Sequence, residues 1–257
     1  MKKILLVGLS LGIFLAGMSN ESLASTITLN GTIRDFHSGA GNPGQPWFES
    51  AIDGQVVTGL VSSTLNNATK DPVRTAVAAG SMPGSSSFFY NWYNDTAINS
   101  SANYAITLNN GGSGNVYSYS NNSFFPIDNQ LFGNEGNSHN YHFTYEVHTN
   151  FTYTGGESFT FFGDDDLWVY INNQLVIDLG GVHTSASQTV NLNTLSLTLG
   201  QTYDFDLFFA ERHTSQSNFM METSIALNQN PVPEPTTMIL FGAGLMGLAA
   251  LGRRVKN

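Results

Sequence analysis

The sequence has no cysteine. That excludes a disulfide framework, a thiolate zinc site and a thiol nucleophile. Basic residues are scarce, 9 Lys plus Arg against 19 Asp plus Glu for a net charge of −10, the wrong balance for a nucleic acid partner. Charged residues of both signs make up 11% of the chain, where a soluble domain has about 25%. Long helical periodicity is also missing. There is no Gly-x-Ser-x-Gly elbow, no His-Glu-x-x-His and no phosphate loop. These absences argue against an enzyme, and a polysaccharide hydrolase built on a carboxylate pair stays open only as a third reading. What the chain does have is Gly, Asn, Ser and Thr in quantity and 12% aromatic residues. That aromatic content can build a core, which a disordered chain cannot.

The two ends read as addresses. Lys2 and Lys3 precede an apolar run, and Ser22-Leu23-Ala24 offers small residues to a signal peptidase. Residues 1–24 are therefore expected to be a secretory signal, cleaved after Ala24. At the other end Pro233-Glu234-Pro235 is followed by an apolar run from Met238 to Leu251 and then by Arg253, Arg254 and Lys256. The prolines bar a helix before Thr236. The run is shorter than the ~20 residues of a comfortable membrane span. This three-part pattern over residues 231–257 resembles the PEP-CTERM sorting signal. The resemblance implies a short hydrophobic helix and a transient anchor in the inner membrane. It also implies processing by an exosortase and export to the surface or matrix of a Gram-negative, biofilm-forming bacterium. Without these ends the body, 25–230, keeps 4 basic and 17 acidic residues, a net of −13. That suits calcium, or solubility at a cell surface.

The body alternates with the period of a strand. Thr26-Ile27-Thr28-Leu29 and Tyr104-Ala105-Ile106-Thr107-Leu108 do so. Tyr141, Phe143, Tyr145 and Val147 fall on one face, with His142, Thr144, Glu146 and His148 on the other. Phe151 to Thr154 and Ser158 to Phe162, joined through Gly155-Gly156, read as a hairpin. So do Leu167 to Ile171 and Leu175 to Leu179 around Asn172-Asn173-Gln174. Val190 to Leu199, Thr202 to Ala210 and Phe219 to Leu227 add three strands, and Pro72 to Ala79 is the one short helix candidate. Thr58 to Ser87 and Asn109 to Asn122 read as long loops. The expected fold is all-β, an antiparallel β-sandwich or jelly roll in a single domain.

Asp164-Asp165-Asp166 stand in a row between two strands. Three adjacent carboxylates repel one another, and a bound cation turns that cost into a gain. Calcium takes hard oxygen ligands of this kind. Asn172 at the next hairpin and Asp178 at the end of the following strand are candidate further oxygens. The alternative is a solvated turn in which the carboxylates accept backbone N–H bonds. The three histidines His139, His142 and His148 match no zinc spacing, and an exposed strand face accounts for them. Arg212, flanked by Glu211 and His213, is expected to pair with an internal carboxylate.

The stretch Gly163-Asp164-Asp165-Asp166-Leu167-Trp168-Val169-Tyr170-Ile171-Asn172 resembles the fibro-slime domain family, and more distantly the protective-antigen-type lectin module of flocculins and some glycosidases. Gly31-Thr32-Ile33-Arg34-Asp35-Phe36, Trp92-Tyr93-Asn94, Phe124-Phe125-Pro126-Ile127-Asp128 and Phe209-Ala210-Glu211-Arg212-His213 carry the resemblance across the body. It departs at Gln45-Pro46-Trp47-Phe48-Glu49, where the family tends to have His-Pro-Asp-Phe-Glu. In the lectin module two adjacent aspartates hold a calcium ion that coordinates sugar hydroxyls, and these fall on Asp164 and Asp165. Asp166 falls where that module has Gly. The resemblance implies a calcium cofactor at Asp164, Asp165 and Asp166. It also implies an extracellular polysaccharide or other glycan as partner, bound by Asp164, Asp165, Trp168 and Asn172. A matrix protein that self-associates and binds no sugar is the competing expectation.

Overall fold

The computed structural model describes residues 25–39, 48–49, 52–82, 84–112 and 114–229. Both expected sorting segments, 1–24 and 231–257, lie outside them. The strands are β1 (Thr26–Phe36), β2 (Asn99–Asn109), β3 (Tyr117–Asn121), β4 (Phe143–Thr152), β5 (Ser158–Asp164), β6 (Asp166–Ile171), β7 (Gln174–Leu179), β8 (Ala186–Asn191), β9 (Thr202–Glu211) and β10 (Asn218–Thr223). They form one antiparallel sheet in the order β7-β6-β9-β4-β1-β2-β3-β10-β5-β8. The sheet curls until its two edges almost meet. Gln188 of β8 accepts a bond from the Asp178 amide of β7 at 2.9 Å. The protein is thus all-β, as the alternation predicts, with the two layers joined as one nearly closed sheet.

Inward side chains fill the interior. Leu29 and Ile33 of β1, Tyr145 of β4, Phe159 and Phe161 of β5, Leu167 and Val169 of β6, Phe205 and Phe209 of β9 and Phe219 of β10 are all buried there. A second core lies outside the sheet. It packs Trp168 and Tyr170 of β6 and Phe208 and Ala210 of β9 under a layer drawn from Phe36 to Tyr93. That layer holds one short helix, α1 (Ser86–Tyr90), whose first turn is capped by Ser85 accepting from the Phe88 amide. Strand β6 is buried along its whole length. This explains why Leu167 to Ile171 reads as a continuous apolar run without alternation.

Several sequence expectations change. Only Val77–Ala79 of the proposed Pro72–Ala79 helix is helical, as a single 3-10 turn, and the true helix comes later at Ser86. Tyr117–Asn121, inside an expected loop, is strand β3. The strand expected at Val190–Leu199 lies at Ala186–Asn191, followed by a 3-10 turn at Leu192–Thr194. The predicted β6–β7 hairpin forms, with Asn172 and Asn173 both at positive φ. The predicted β4–β5 hairpin does not. β4 pairs with β1 and β9, while β5 pairs with β10 and β8. Gly155 and Gly156, at φ 97 and 86, carry the chain across the fold. Glu157 holds that crossing by accepting from the Thr154 amide and hydroxyl and the Gly155 amide.

Candidate functional site

Asp164 ends β5, Asp166 starts β6, and Asp165 is the single residue between. The peptide joining Asp164 to Asp165 is cis. Sheet order brings two distant elements alongside. β10 pairs with β5, so that Asn218 lies opposite Asp164. β9 pairs with β6, so that Glu211 and Arg212 arrive beside the triplet.

The three aspartates do not share one task. Asp164 accepts from the Asn218 amide (2.6 Å), the Asn218 side chain (2.9 Å) and the Ser185 hydroxyl (2.9 Å). Asp165 accepts from the Arg212 amide at 3.0 Å. Asp166 turns away. It accepts from the Gly181 amide at 2.6 Å and pairs with the Arg212 guanidinium at 2.5 Å, with both side chains fully buried. Arg212 continues to the Ser81 carbonyl at 3.0 Å and lies 5.3 Å from the Trp92 ring centre. The internal ion pair expected of Arg212 is therefore made with Asp166. Burial works against the Arg212 charge, and Asp166 and then Asp165 outweigh it, so its pKa rises.

Asp164 and Asp165 face a small cleft of about 70 Å³, walled by Ile52, Val182 to Thr184, His213, Ser215 and Gln216. Burial pushes the Asp165 carboxyl up to about 8, against the pull of Arg212 and with Asp166 adding to the rise. Glu211 is fully buried, and burial followed by Asp165 raises its pKa well above the ordinary carboxylate range. A hydrogen bond from the Ser217 side chain works against that rise, and His183 Nε2 is buried without a hydrogen-bond partner. Buried carboxylates raised in this way by one another are lowered by an added cation.

The other expected site residues lie elsewhere. Trp168 is fully buried in the outer core and donates from Nε1 to Asp178 at 3.2 Å. Asn172 sits at the far end of β6, in the turn, donating its amide to the Asp204 carbonyl. Neither reaches the cleft, because alternation along β6 sends Trp168 outward and the strand length separates Asn172 from Asp164. Asp178 accepts from the Gly59 amide and so fastens the outer layer. His139, His142 and His148 each have a different carboxylate partner. His139 bonds Asp128, His148 bonds Asp206, and His142 is buried beside Glu49 instead of lying on an exposed face. Glu211, Asn218, Ser185 and His183 were not foreseen as site residues. The one signal for Glu211 was the Phe209 to His213 segment of the family resemblance.

The donors at the cleft are hard oxygens, which fits calcium. Among the described residues no three His, Asp or Glu side chains are grouped closely enough to hold a metal ion. An ion at Asp164 and Asp165 would therefore complete its shell from backbone, water or ligand oxygens.

Residues 111–236 match the PA14 domain family, and residues 231–254 match the PEP-CTERM protein-sorting motif. Strands β1 and β2 and most of the outer layer precede the PA14 match. Among curated proteins the chain is similar to Protein psiC of Dictyostelium discoideum, 42% identical over 220 residues, covering 79% of this chain and 42% of that protein. Protein psiR of the same organism is 40% identical over 245 residues, covering 88% and 24%. Protein psiD is 46% identical over 148 residues, covering 54% and 29%. The chain spans less than half the length of each. Among solved structures, the PA14 sugar-binding domain from an RTX adhesin aligns over 79% of this chain and 94% of its own, at TM-score 0.37 and 11% identity. A Kluyveromyces marxianus beta-glucosidase in complex with glucose aligns over 35% and 11%, at TM-score 0.24 and 13% identity.

Proposed function

We propose that this chain is an exported, non-enzymatic module that binds carbohydrate at a cell surface or in an extracellular matrix, through calcium held at Asp164 and Asp165. The observation that carries the reading is the pair of adjacent buried carboxylates facing a cleft. The PA14 and PEP-CTERM matches support the same reading, the first for sugar binding and the second for export through an exosortase. Calcium in such a site supplies a Lewis-acidic anchor with coordination positions left for vicinal hydroxyls. The protein's part is to hold its oxygens ready. Asn218 and Ser185 fix the Asp164 carboxylate, and the Arg212 amide fixes that of Asp165. The Asp166–Arg212 pair locks the junction from behind, so the pair is preorganised before any ligand arrives. Asp166 serves here as a positioning residue, and the metal ligands are Asp164 and Asp165.

The test is a glycan array probed with the full chain in calcium and in chelator, with Asp165→Asn alongside. Binding seen with calcium alone and lost in Asp165→Asn is expected. Binding that survives chelator and Asp165→Asn would overturn the calcium mechanism. Silence in both buffers, with light scattering that grows with concentration, would favour the self-associating matrix protein.

A further inference from the structure

The strand that delivers Asp164 carries a second feature on the same face. Residues two apart on a strand point the same way, so Phe162 stands beside Asp164 on β5, roughly 7 Å along the strand. Phe161, the residue before Phe162, points into the core. Phe162 points out and is 37% exposed. Register extends this into a row across four strands, Ser187 of β8, Phe162 of β5, Met220 of β10 and Ser120 of β3. The neighbouring outward positions are Thr160, Thr189, Ser118 and Glu222, all polar. A phenyl ring, 37% exposed, and a half-buried thioether interrupt this polar face.

Phe162 and Met220 of this row line a shallow groove of about 570 Å³, together with Asn122, Ser185, Gln216 and Asn218. The groove is continuous with the aspartate cleft. Gln216 lines both, and Ser185 and Asn218 line the groove while bonding to Asp164. Its chemistry is one apolar ring at the base and side-chain amides and hydroxyls at the rim. That matches a pyranose, which has an apolar face for an aromatic ring and hydroxyls around its edge. It does not match an added peptide strand, because β5 and β10, which carry Phe162 and Met220, already have partners on both sides.

We infer that this groove is a second sugar subsite, in which Phe162 stacks under the residue next to the sugar held at Asp164 and Asp165, so that the protein selects extended glycans over single sugars. This rests on the carbohydrate reading above and deepens it. The aspartate cleft supplies the anchor, and the Phe162 groove supplies the reading of chain length.

The experiment is calorimetric titration of the full chain, in calcium, with four pairs of probes. These are the methyl glycosides of glucose, mannose, galactose and N-acetylglucosamine, each against a trisaccharide of the same sugar. For the sugar that binds, the trisaccharide is expected to bind about tenfold more tightly, the order of one well-placed aromatic contact. In Phe162→Ala that ratio should fall to about one, and in Phe162→Tyr it should return. The ring is half-exposed, so Phe162→Ala should melt with the parent, and Phe162→Tyr guards against a folding artefact. A ratio unchanged in Phe162→Ala, with Asp165→Asn abolishing both probes, would overturn the groove and leave the calcium site standing. Failure of every probe on the parent chain in calcium would overturn both.

Discussion

The two halves of the sheet are built on one principle inside and on opposite principles outside. Inside, both turn aromatic and aliphatic side chains to a common core. Outside, the β6–β9–β4 half carries a second core, in which Trp168, Tyr170 and Phe208 lie under the layer from Phe36 to Tyr93. That layer is fastened by Tyr170 donating to the Ser62 carbonyl, the Val57 amide to the Gly180 carbonyl, Gly59 to Asp178 and Arg212 to Ser81. Among the described residues the β2–β3–β10–β5–β8 half carries no such second core, and shows serine, threonine and asparagine to solvent around Phe162 and Met220. The aspartate pair sits where the two halves join. The covered half gives the site its rigidity and its buried counter-charges, and the bare half gives it access.

The difference is sharpest in what a deletion should cost. Arg212→Met leaves Asp166 as an uncompensated buried charge. We expect a loss of about 3–5 kcal/mol, read from the urea midpoint at constant slope. The double variant Asp166→Leu/Arg212→Met should recover most of it, because a well-packed apolar pair replaces a buried ion pair at little net cost. Trp168→Ala belongs to the same class, about 3–5 kcal/mol for an emptied core position. If either cost less than about 1 kcal/mol, the outer layer would be a loose appendage and the site would lose its rigid side.

Gly163→Ala tests the junction from the bare side. A Cβ at Gly163 would run into the Asn218 carbonyl and the Phe161 ring. Overpacking of this kind costs about 1–3 kcal/mol. Because Asn218 also fixes Asp164, the proposed calcium site predicts that calcium affinity falls along with thermal stability. A variant that lost stability but kept calcium affinity would separate the strand pairing from the site.

How far the sequence foretold this differs between the halves. Alternation exposes the bare half, where Ile106 and Leu108 point in and Thr107 and Asn109 point out. In the covered half Leu167 to Ile171 show no period, because they are buried on both faces, and the cover over them comes from segments read as loops. Strand β3, Tyr-Ser-Tyr-Ser-Asn, was missed because its outward serines and its asparagine look like turn residues. At the site, Asp164 and Asp165 were legible as neighbours in sequence. Glu211 and Asn218 were not, since only the order β6-β9 and β10-β5 brings them there. The separate role of Asp166 also needed the structure, because it depends on Arg212 arriving behind it.

A gentler probe of the covered half is pH. His148 on β4 bonds Asp206 at 2.7 Å and lies 3.6 Å from Glu146, which Arg34 also pairs. Lys70 and Asp204 line the same depression. Burial alone lowers the imidazole pKa, but the bonds to Asp206 and Glu146 outweigh it and raise it to about 10. A pKa raised on folding favours the folded state below the unfolded value of about 6.5. The contribution then fades as pH climbs toward 10. Melting temperature should decline over that window, and the decline should be smaller in His148→Gln. The side chain is 43% exposed, so solvent and salt screening keep the effect modest. An equal decline in both proteins would assign it to other groups.

The smallest expected effect belongs to the bare face. Thr160 and Thr189 face one another across β5 and β8, hydroxyl to hydroxyl at 2.8 Å, and Thr28 and Thr107 do the same across β1 and β2 at 3.2 Å. Cross-strand pairs in solvent contribute roughly 0.2–1 kcal/mol. Each hydroxyl can exchange its partner for water, so little is left unsatisfied when one is removed. Thr160→Ala and Thr189→Ala should therefore each stay within about 0.5 kcal/mol, and the double-mutant cycle should return a coupling of a few tenths. A coupling above about 1.5 kcal/mol would mean that the pair is shielded from water in solution. The pair is exposed among the described residues, so a shield supplied by a second molecule would make the bare half an interface. The cycle repeated across a hundredfold range of protein concentration separates the cases, because a coupling from strand pairing alone does not change with concentration.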